Sequence, residues 1–174
     1  MKVFYLCLMR RLNIEEMRYI CEFIGGLVPI ARAEAHAWRA IARWQIRDVL
    51  WRWTADGVDD NGLVTLEGIK YDVDLYPATA EAMQIAEHGG GGLRHEHVVP
   101  RNWLTNRIIQ ENMNVEVIME LLQRCCLAAI VTEDQHGLLS GKMPVGWDWR
   151  NDNPYQRYIN AELPLIGADG QELF

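Results

Sequence analysis

The fold of this chain is decided by residues 93–103, which read "LRHEHVVPRNW". The stretch predicts a short extended segment, and Pro100 closes it because proline ends regular strand pairing. Three of its polar residues, His95, Glu96 and His97, are consecutive. They are open to three interpretations: metal ligands beside a catalytic base, a pH-sensitive contact surface, or polar residues at the end of an ordinary strand.

The sequence that follows predicts two helices, a second strand and a closing helix. The helices are expected at 101–111 and 114–124, and the apolar run at 126–132 is typical of a buried strand. Thr132 is a residue type that caps helices, so a further helix carrying His136 is expected directly after it. Without the two inserted helices, the order is strand, strand, helix.

This order of elements resembles the HNH, or ββα-metal, nuclease superfamily. The resemblance rests on "EHVVP", from Glu96 to Pro100, which is similar to that superfamily's Asp/His-His-Ile/Val-x-Pro core, and on His136 in the closing helix. It covers about residues 93–140. It implies a metal-dependent endonuclease that hydrolyses phosphodiester bonds in nucleic acid with one divalent ion: Mg²⁺, Mn²⁺, Ni²⁺ or Zn²⁺.

The resemblance also implies a role for each residue of the motif. Glu96 and His136 would ligate the metal ion, and His97 would be the general base, since an ordinary imidazole pKa of about 6.5 suits that role. Neighbouring strand residues point to opposite faces, so this arrangement needs the strand to bend at Glu96 and His97, as it does in that superfamily. His95 shares the face of His97 and is either a further metal ligand or a phosphate contact.

Five arginines are candidates for binding the phosphates of a nucleic acid. Two of them flank the motif, and three recur every four residues along one edge of a predicted helix at 31–53. For the row of three, a solvated helix surface is the alternative. The five candidates are Arg94, Arg101, Arg39, Arg43 and Arg47.

The N-terminal part predicts two helices. Asn13 is the expected cap of the first helix, and the glycines and proline at 25–29 are expected to break or bend the chain. The helix at 31–53 has an apolar stripe that is expected to pack on the ββα-like unit through Trp38, Ile46, Val49 and Trp53. Its far side carries further apolar residues that are either buried too or offered to a partner. These residues are Ile41, Trp44 and Trp51.

Together these elements predict an α+β fold in a single domain, residues 1–174, with a mostly helical N-terminal part packed on a small ββα-metal-like unit. Between them, a loop at 56–62, a hairpin at 63–77 and a short helix at 78–88 lead to a four-glycine hinge. The tail at 141–174 is expected to pack back on the domain through a helix near 154–161. The three main parts are residues 1–56, residues 93–140 and residues 141–174.

The distribution of charge limits the partners. Residues 1–56 carry nine Lys/Arg and six Asp/Glu, a net +3, whereas residues 57–174 carry eight and eighteen, a net −10. The acidic part argues against coating nucleic acid by charge alone, so a local basic face is the expected contact, with DNA favoured over RNA. No stretch is apolar enough to span a membrane, and four cysteines without a CxxC pair predict reduced thiols and a cytoplasmic protein.

A non-catalytic protein-binding module is the alternative function. The acidic part and the seven tryptophans could occupy a partner's nucleic-acid groove, as an inhibitor or partner in a phage or bacterial defence system would. The HEH motif would then be a degenerate relic or a structural zinc site. A DNA-binding regulator that uses the helix at 31–53 ranks last, because no helix-turn-helix pattern follows it.

Overall fold

A computed structural model describes residues 13–34, 36–58, 64–65, 70–89 and 91–174. It confirms the predicted α+β class, with helices in the N-terminal part and two small antiparallel sheets. The helices are α1 (Ile14–Arg32), α2 (His36–Ala55), α3 (Ala80–Glu87), α4 (Arg101–Glu111), α5 (Val115–Cys125), α6 (Glu133–Leu138) and α7 (Gln156–Asn160). The strands are β1 (Gly57–Val58), β2 (Val64–Thr65), β3 (Leu93–His97) and β4 (Ala128–Thr132). Parts of the predicted loop at 56–62, hairpin at 63–77 and glycine hinge lie outside the described residues.

Helix α1 begins as the sequence predicts but does not break where expected. The Asn13 side chain accepts the backbone N–H groups of Glu15 and Glu16, and Glu16 accepts the Asn13 N–H in return. Of the predicted break or bend at 25–29, the break is wrong, since α1 continues through Pro29 to Arg32. One face of α1 packs against α2, α4 and α5, and this burial outweighs the hydrogen bond that a proline removes.

Helix α2 supplies the middle of the helical core, although one of its predicted core residues is exposed. Ile46 is fully buried, and Val49 and Trp53 pack at the edge of the same cluster. Trp38 was expected in this stripe but is 66% exposed. It lies in the first turn of α2, eight residues before Ile46 and hence about 80° from it around the helix axis.

The β3–β4 pair and the helices inserted between its strands agree with the sequence pattern. Residues of the two strands pair from Leu93↔Thr132 to His97↔Ala128 in an antiparallel register. Helices α4 and α5 lie between these strands in the chain, and α5 begins at Asn114, whose side chain accepts the N–H of Val117. They join α1 and α2 in one apolar core. Its fully buried members include Ile24, Ile46, Leu50, Leu104, Ile108, Ile118, Leu121, Leu122 and Trp149.

The C-terminal tail covers the other face of the small sheet. Its short helix, α7, lies within the predicted 154–161 range, and it buries Arg157 and Tyr158. Tyr158 packs in a second apolar cluster with Val98 and Leu165. In the described part of the chain, no helix is both long enough and apolar enough to cross a membrane.

Candidate functional site

The site is built at the junction of β3, β4 and α6. Strand β4 runs directly into α6 because Thr132 accepts the N–H of Gln135, and the Gln135 side chain accepts the N–H of Thr132. This reciprocal cap turns the chain sharply, so that His136 returns over β3. His136 Nδ1 lies 3.0 Å from Glu96 Oε2. Two of the predicted metal ligands, 40 residues apart in the chain, are therefore adjacent.

Sequence reasoning missed a third member of this group, Arg157 of α7. Its Nη2 donates to Glu96 Oε1 at 2.9 Å, and its Nη1 donates to the backbone oxygens of His97 and Val98 at 2.9 and 3.3 Å. Its Nε donates to the carbonyl oxygen of Ser140. Arg157 is 4% exposed, so the Glu96 carboxyl group lies between a buried guanidinium and the half-exposed His136. Nothing local in the tail sequence marks this arginine, because its partners lie up to 61 residues away.

His97 lies on the opposite face of β3 from Glu96. The bend expected at these two residues is absent, since β3 remains regular through His97 and the chain bends only at residues 98–99. His97 Nε2 lies 3.2 Å from the carbonyl oxygen of Leu50 and 3.1 Å from Thr54 Oγ1. A carbonyl oxygen can only accept, so Nε2 carries the proton and Nδ1 is the basic nitrogen. Burial, and next the neighbouring His95, lowers the pKa of His97 to about 3.

His95 is on the same buried face as His97. Its ring makes edge contacts with the rings of Trp51 and Tyr76, with 5.1 Å between centroids in each case. Neither ring nitrogen has a hydrogen-bond partner among the described residues. Burial lowers the pKa of His95 to about 4, so both imidazoles are neutral at pH 7. The structure thus separates His95 and His97 from the pair formed by Glu96 and His136.

A polar pocket of about 200 Å³ opens beside the two buried histidines. Arg101 enters from the start of α4, with its guanidinium carbon 4.9 Å from the centroid of the Trp51 ring. Burial, and next the charge of Arg47, lowers the pKa of Arg101. The pocket therefore brings two guanidinium groups together against neutral imidazoles. Its lining residues are Arg47, Trp51, His95, Glu96, His97, Pro100, Arg101 and Asn102.

The remaining predicted phosphate-binding arginines lie away from this pocket. Arg94 forms an ion pair with Glu133, and Arg43 donates to Asn106 Oδ1. Arg39 is exposed near the start of α2. Of the five candidates, only Arg47 and Arg101 share one cavity.

Glu96 and His136 are the pair of candidate metal donors that the structure brings together. Within the described ranges, no group of three or more His, Cys, Asp or Glu side chains converges in a way that suits a metal ion. Glu96 and His136 are adjacent, but His95 faces the other side of β3.

Comparison with known proteins identifies no relative, since neither a protein-family model, a curated protein nor a solved structure matches this chain.

Proposed function

We propose that this protein is a metal-dependent endonuclease that hydrolyses phosphodiester bonds in nucleic acid, with DNA as the favoured substrate. The observation that carries the proposal is the meeting of Glu96 and His136 at 3.0 Å, one on a strand and one on the helix of a strand–strand–helix unit. A carboxylate oxygen and an imidazole nitrogen are donors that divalent ions such as Mn²⁺, Ni²⁺ and Zn²⁺ accept.

The spacing of these two donors fits a six-coordinate ion. Two neighbouring ligands of an octahedral ion with bonds of about 2.1 Å lie about 3.0 Å apart, and Glu96 Oε2 and His136 Nδ1 are separated by that distance. Mg²⁺ in proteins keeps several water ligands and takes only one or two carboxylates, so two protein donors are enough for it. A bound ion would supply charge stabilisation at the scissile phosphate. A hydrogen bond has the same length, and metal titration separates the two cases.

The residues of the pocket supply the other parts of such a reaction. Arg47 and Arg101 bind the phosphate group, and Glu96 lines the same pocket, which brings the proposed metal ligand to the pocket's edge. His97 takes the proton of the attacking water through Nδ1, because Nε2 is fixed by Leu50. A pKa of about 3 makes His97 a weak base in the free protein. A phosphate anion in the pocket raises that pKa and so strengthens the base.

The test is calorimetric titration of the purified protein with Mg²⁺, Mn²⁺, Ni²⁺ and Zn²⁺. We expect one ion per chain in the wild type and none in the double variant Glu96→Ala, His136→Ala. The matched control is Glu87→Ala, His88→Ala, which removes an exposed carboxylate and an exposed imidazole at the end of α3 and should bind like the wild type. A wild type that binds no ion, or a site variant that still binds one, contradicts the proposal.

Cleavage assays on DNA and RNA then test the role of His97 as the general base. His97→Gln keeps a polar side chain of similar size and is expected to lose cleavage while it retains the metal ion. If His97→Gln cleaves at the wild-type rate with metal, His97 is not the base.

The outer face of α1 favours a second candidate function, the non-catalytic protein-binding module of a phage or bacterial defence system. Tyr19, Phe23 and Ile30 are exposed apolar residues on this helix. A protein that co-purifies with the wild type, is lost in Tyr19→Ser, Phe23→Ser, and is accompanied by no metal binding would select this candidate over the nuclease.

We also propose a cytoplasmic location. Cys21, Cys125 and Cys126 are unpaired and buried, as thiols of a reducing compartment commonly are. Thiol titration of protein purified without reductant tests this, since intermolecular disulfides in freshly isolated protein would contradict it.

A further inference from the structure

An exposed tryptophan extends the wall of the arginine pocket along α2. Trp44 is 65% exposed and lies three residues before Arg47 and seven before Trp51. At about 100° and 1.5 Å per residue, these three residues lie within about 60° of one another around the helix, over roughly 10 Å of its length. Arg47 and Trp51 line the pocket, so Trp44 lies on the pocket side of α2, about one turn before Arg47.

The pocket itself is built for a negatively charged group. Neither Arg47 nor Arg101 forms an ion pair with a carboxylate in the part of the chain that is described. Arg101 donates weakly to the backbone oxygen of Arg47 at 3.5 Å, and both arginines line the pocket. His95 is 8% exposed and lines the pocket, and its two ring nitrogens have no hydrogen-bond partner among the residues that the structure describes. A phosphate would satisfy the guanidinium groups and could accept from this imidazole.

We propose that Trp44 and the arginine pocket together form a binding site for single-stranded nucleic acid. A phosphate is held by Arg47 and Arg101, and the neighbouring base stacks on the indole of Trp44. The site requires a single strand because a base can lie flat on an indole only when its own face is unstacked. This inference names the substrate class of the proposed nuclease and rests on that proposed function.

The same helix provides a matched control. Trp38 is 66% exposed, against 65% for Trp44, so the two indoles are equally open to solvent. Trp38 lies nine residues before Arg47, which places it about 180° away around the helix. A ligand that binds by apolar contact alone would use either tryptophan, whereas a ligand that also needs Arg47 can use only Trp44.

The experiment is a fluorescence anisotropy titration with a short fluorescein-labelled oligodeoxythymidylate, in EDTA and at several salt concentrations. We expect Trp44→Ala to weaken binding by about 5- to 150-fold, as for the loss of one stacked base. Trp38→Ala should bind like the wild type, and Trp44→Phe should retain part of the affinity. Arg47→Gln should reduce the slope of log Kd against log salt by about 0.7, as for one phosphate contact on a single strand.

Several outcomes would overturn the inference. The first is an equal loss of affinity in Trp38→Ala and Trp44→Ala. The second is a duplex that binds as tightly as the single strand. The third is a protein partner whose binding depends on Trp44, with no binding of the oligonucleotide. The titration uses no metal, and the metal titration uses no nucleic acid. Failure of the oligonucleotide alone to bind therefore refutes the single-strand site, and failure of metal binding alone refutes the nuclease.

Discussion

The two faces of β3 differ in how they hold their polar residues. On one face, the Glu96 carboxyl group lies between the guanidinium of Arg157 and the imidazole of His136, and that imidazole is half exposed. On the other face, His95 and His97 are neutral, buried and surrounded by aromatic rings. One strand of five residues thus separates two groups of polar residues. We call the side with Glu96, His136 and Arg157 the charged face, and the side with His95 and His97 the neutral face.

The difference shows what each face can do. A buried charge is tolerated when it is paired and hydrogen-bonded. Arg157 donates to Glu96 Oε1, and its other donors are satisfied by the backbone oxygens of Ser140, His97 and Val98. Burial and the nearby charge of Arg101 disfavour an imidazolium on the face of His95 and His97, so this face holds the imidazoles in their basic form. In the proposed nuclease, the charged face binds a cation, and the neutral face accepts a proton and faces a phosphate.

The largest loss of stability is expected when the buried arginine of the charged face is replaced. Arg157→Met keeps much of the side-chain volume but leaves Glu96 uncompensated and three carbonyl oxygens without their donor. We expect the free energy of unfolding, measured by urea denaturation, to fall by about 3–5 kcal/mol.

An exposed ion pair supplies the control for that loss. Arg94→Met removes the partner of Glu133 at a site where both side chains are largely in water, and should cost less than about 1 kcal/mol. Adding Glu96→Gln to Arg157→Met should recover part of the loss, because the uncompensated charge is then gone. Equal costs for Arg157→Met and Arg94→Met would show that Arg157 does not hold the charged face together.

The neutral face should make stability depend on pH in the acid range. The pKa of His95 falls from 6.5 to about 4 on folding, and that of His97 falls from 6.5 to about 3. Below pH 6.5 the unfolded chain therefore binds more protons than the folded one, so stability is full above pH 6.5 and is lost as pH falls toward the folded values. Between pH 7 and pH 5 we expect a loss of about 3–4 kcal/mol from the two groups.

Urea denaturation at several pH values measures this loss. His95→Gln, His97→Gln should remove most of the pH dependence, whatever the stability of that variant at pH 7. His88→Gln replaces an exposed imidazole and should leave the dependence intact. A double variant that keeps the wild-type slope would mean that other groups carry the acid sensitivity.

Within the charged face, the sequence predicts the position of His136 better than that of Arg157. The position of His136 follows from local signals, a buried strand that runs into a Thr132 cap, and these signals need no knowledge of the rest of the chain. Arg157 has no such signal. Its role depends on how the tail folds over the sheet, and a single arginine in a polar tail looks like a solvated residue.

The neutral face shows a second limit of sequence patterns. Alternation along β3 predicts that Glu96 and His97 face opposite sides of a regular strand, and they do. The expected bend came from the resemblance to a nuclease superfamily and not from the residues. Likewise, an apolar stripe shows which side of α2 is buried but not where the neighbouring helices end, so Trp38 was assigned to the core.

The smallest effect expected concerns the cap that positions His136. Thr132→Ala removes the hydroxyl that begins α6 and should lower the free energy of unfolding by about 1 kcal/mol. Asn114→Ala removes the cap of α5 and should cost about the same. The two variants should differ in hydrogen exchange: Thr132→Ala should speed exchange in α6, and Asn114→Ala should not.

The variants Thr132→Ala and Asn114→Ala together test whether the two faces of β3 are independent. His136 depends on the cap of α6, whereas His97 is held by Leu50 and Thr54 of α2. Loosening α6 should therefore weaken metal binding at Glu96 and His136 and leave the acid sensitivity of stability unchanged. If Thr132→Ala also flattened the pH dependence, the charged and neutral faces would be one cooperative unit, and the division of roles between cation and base would lose its structural basis.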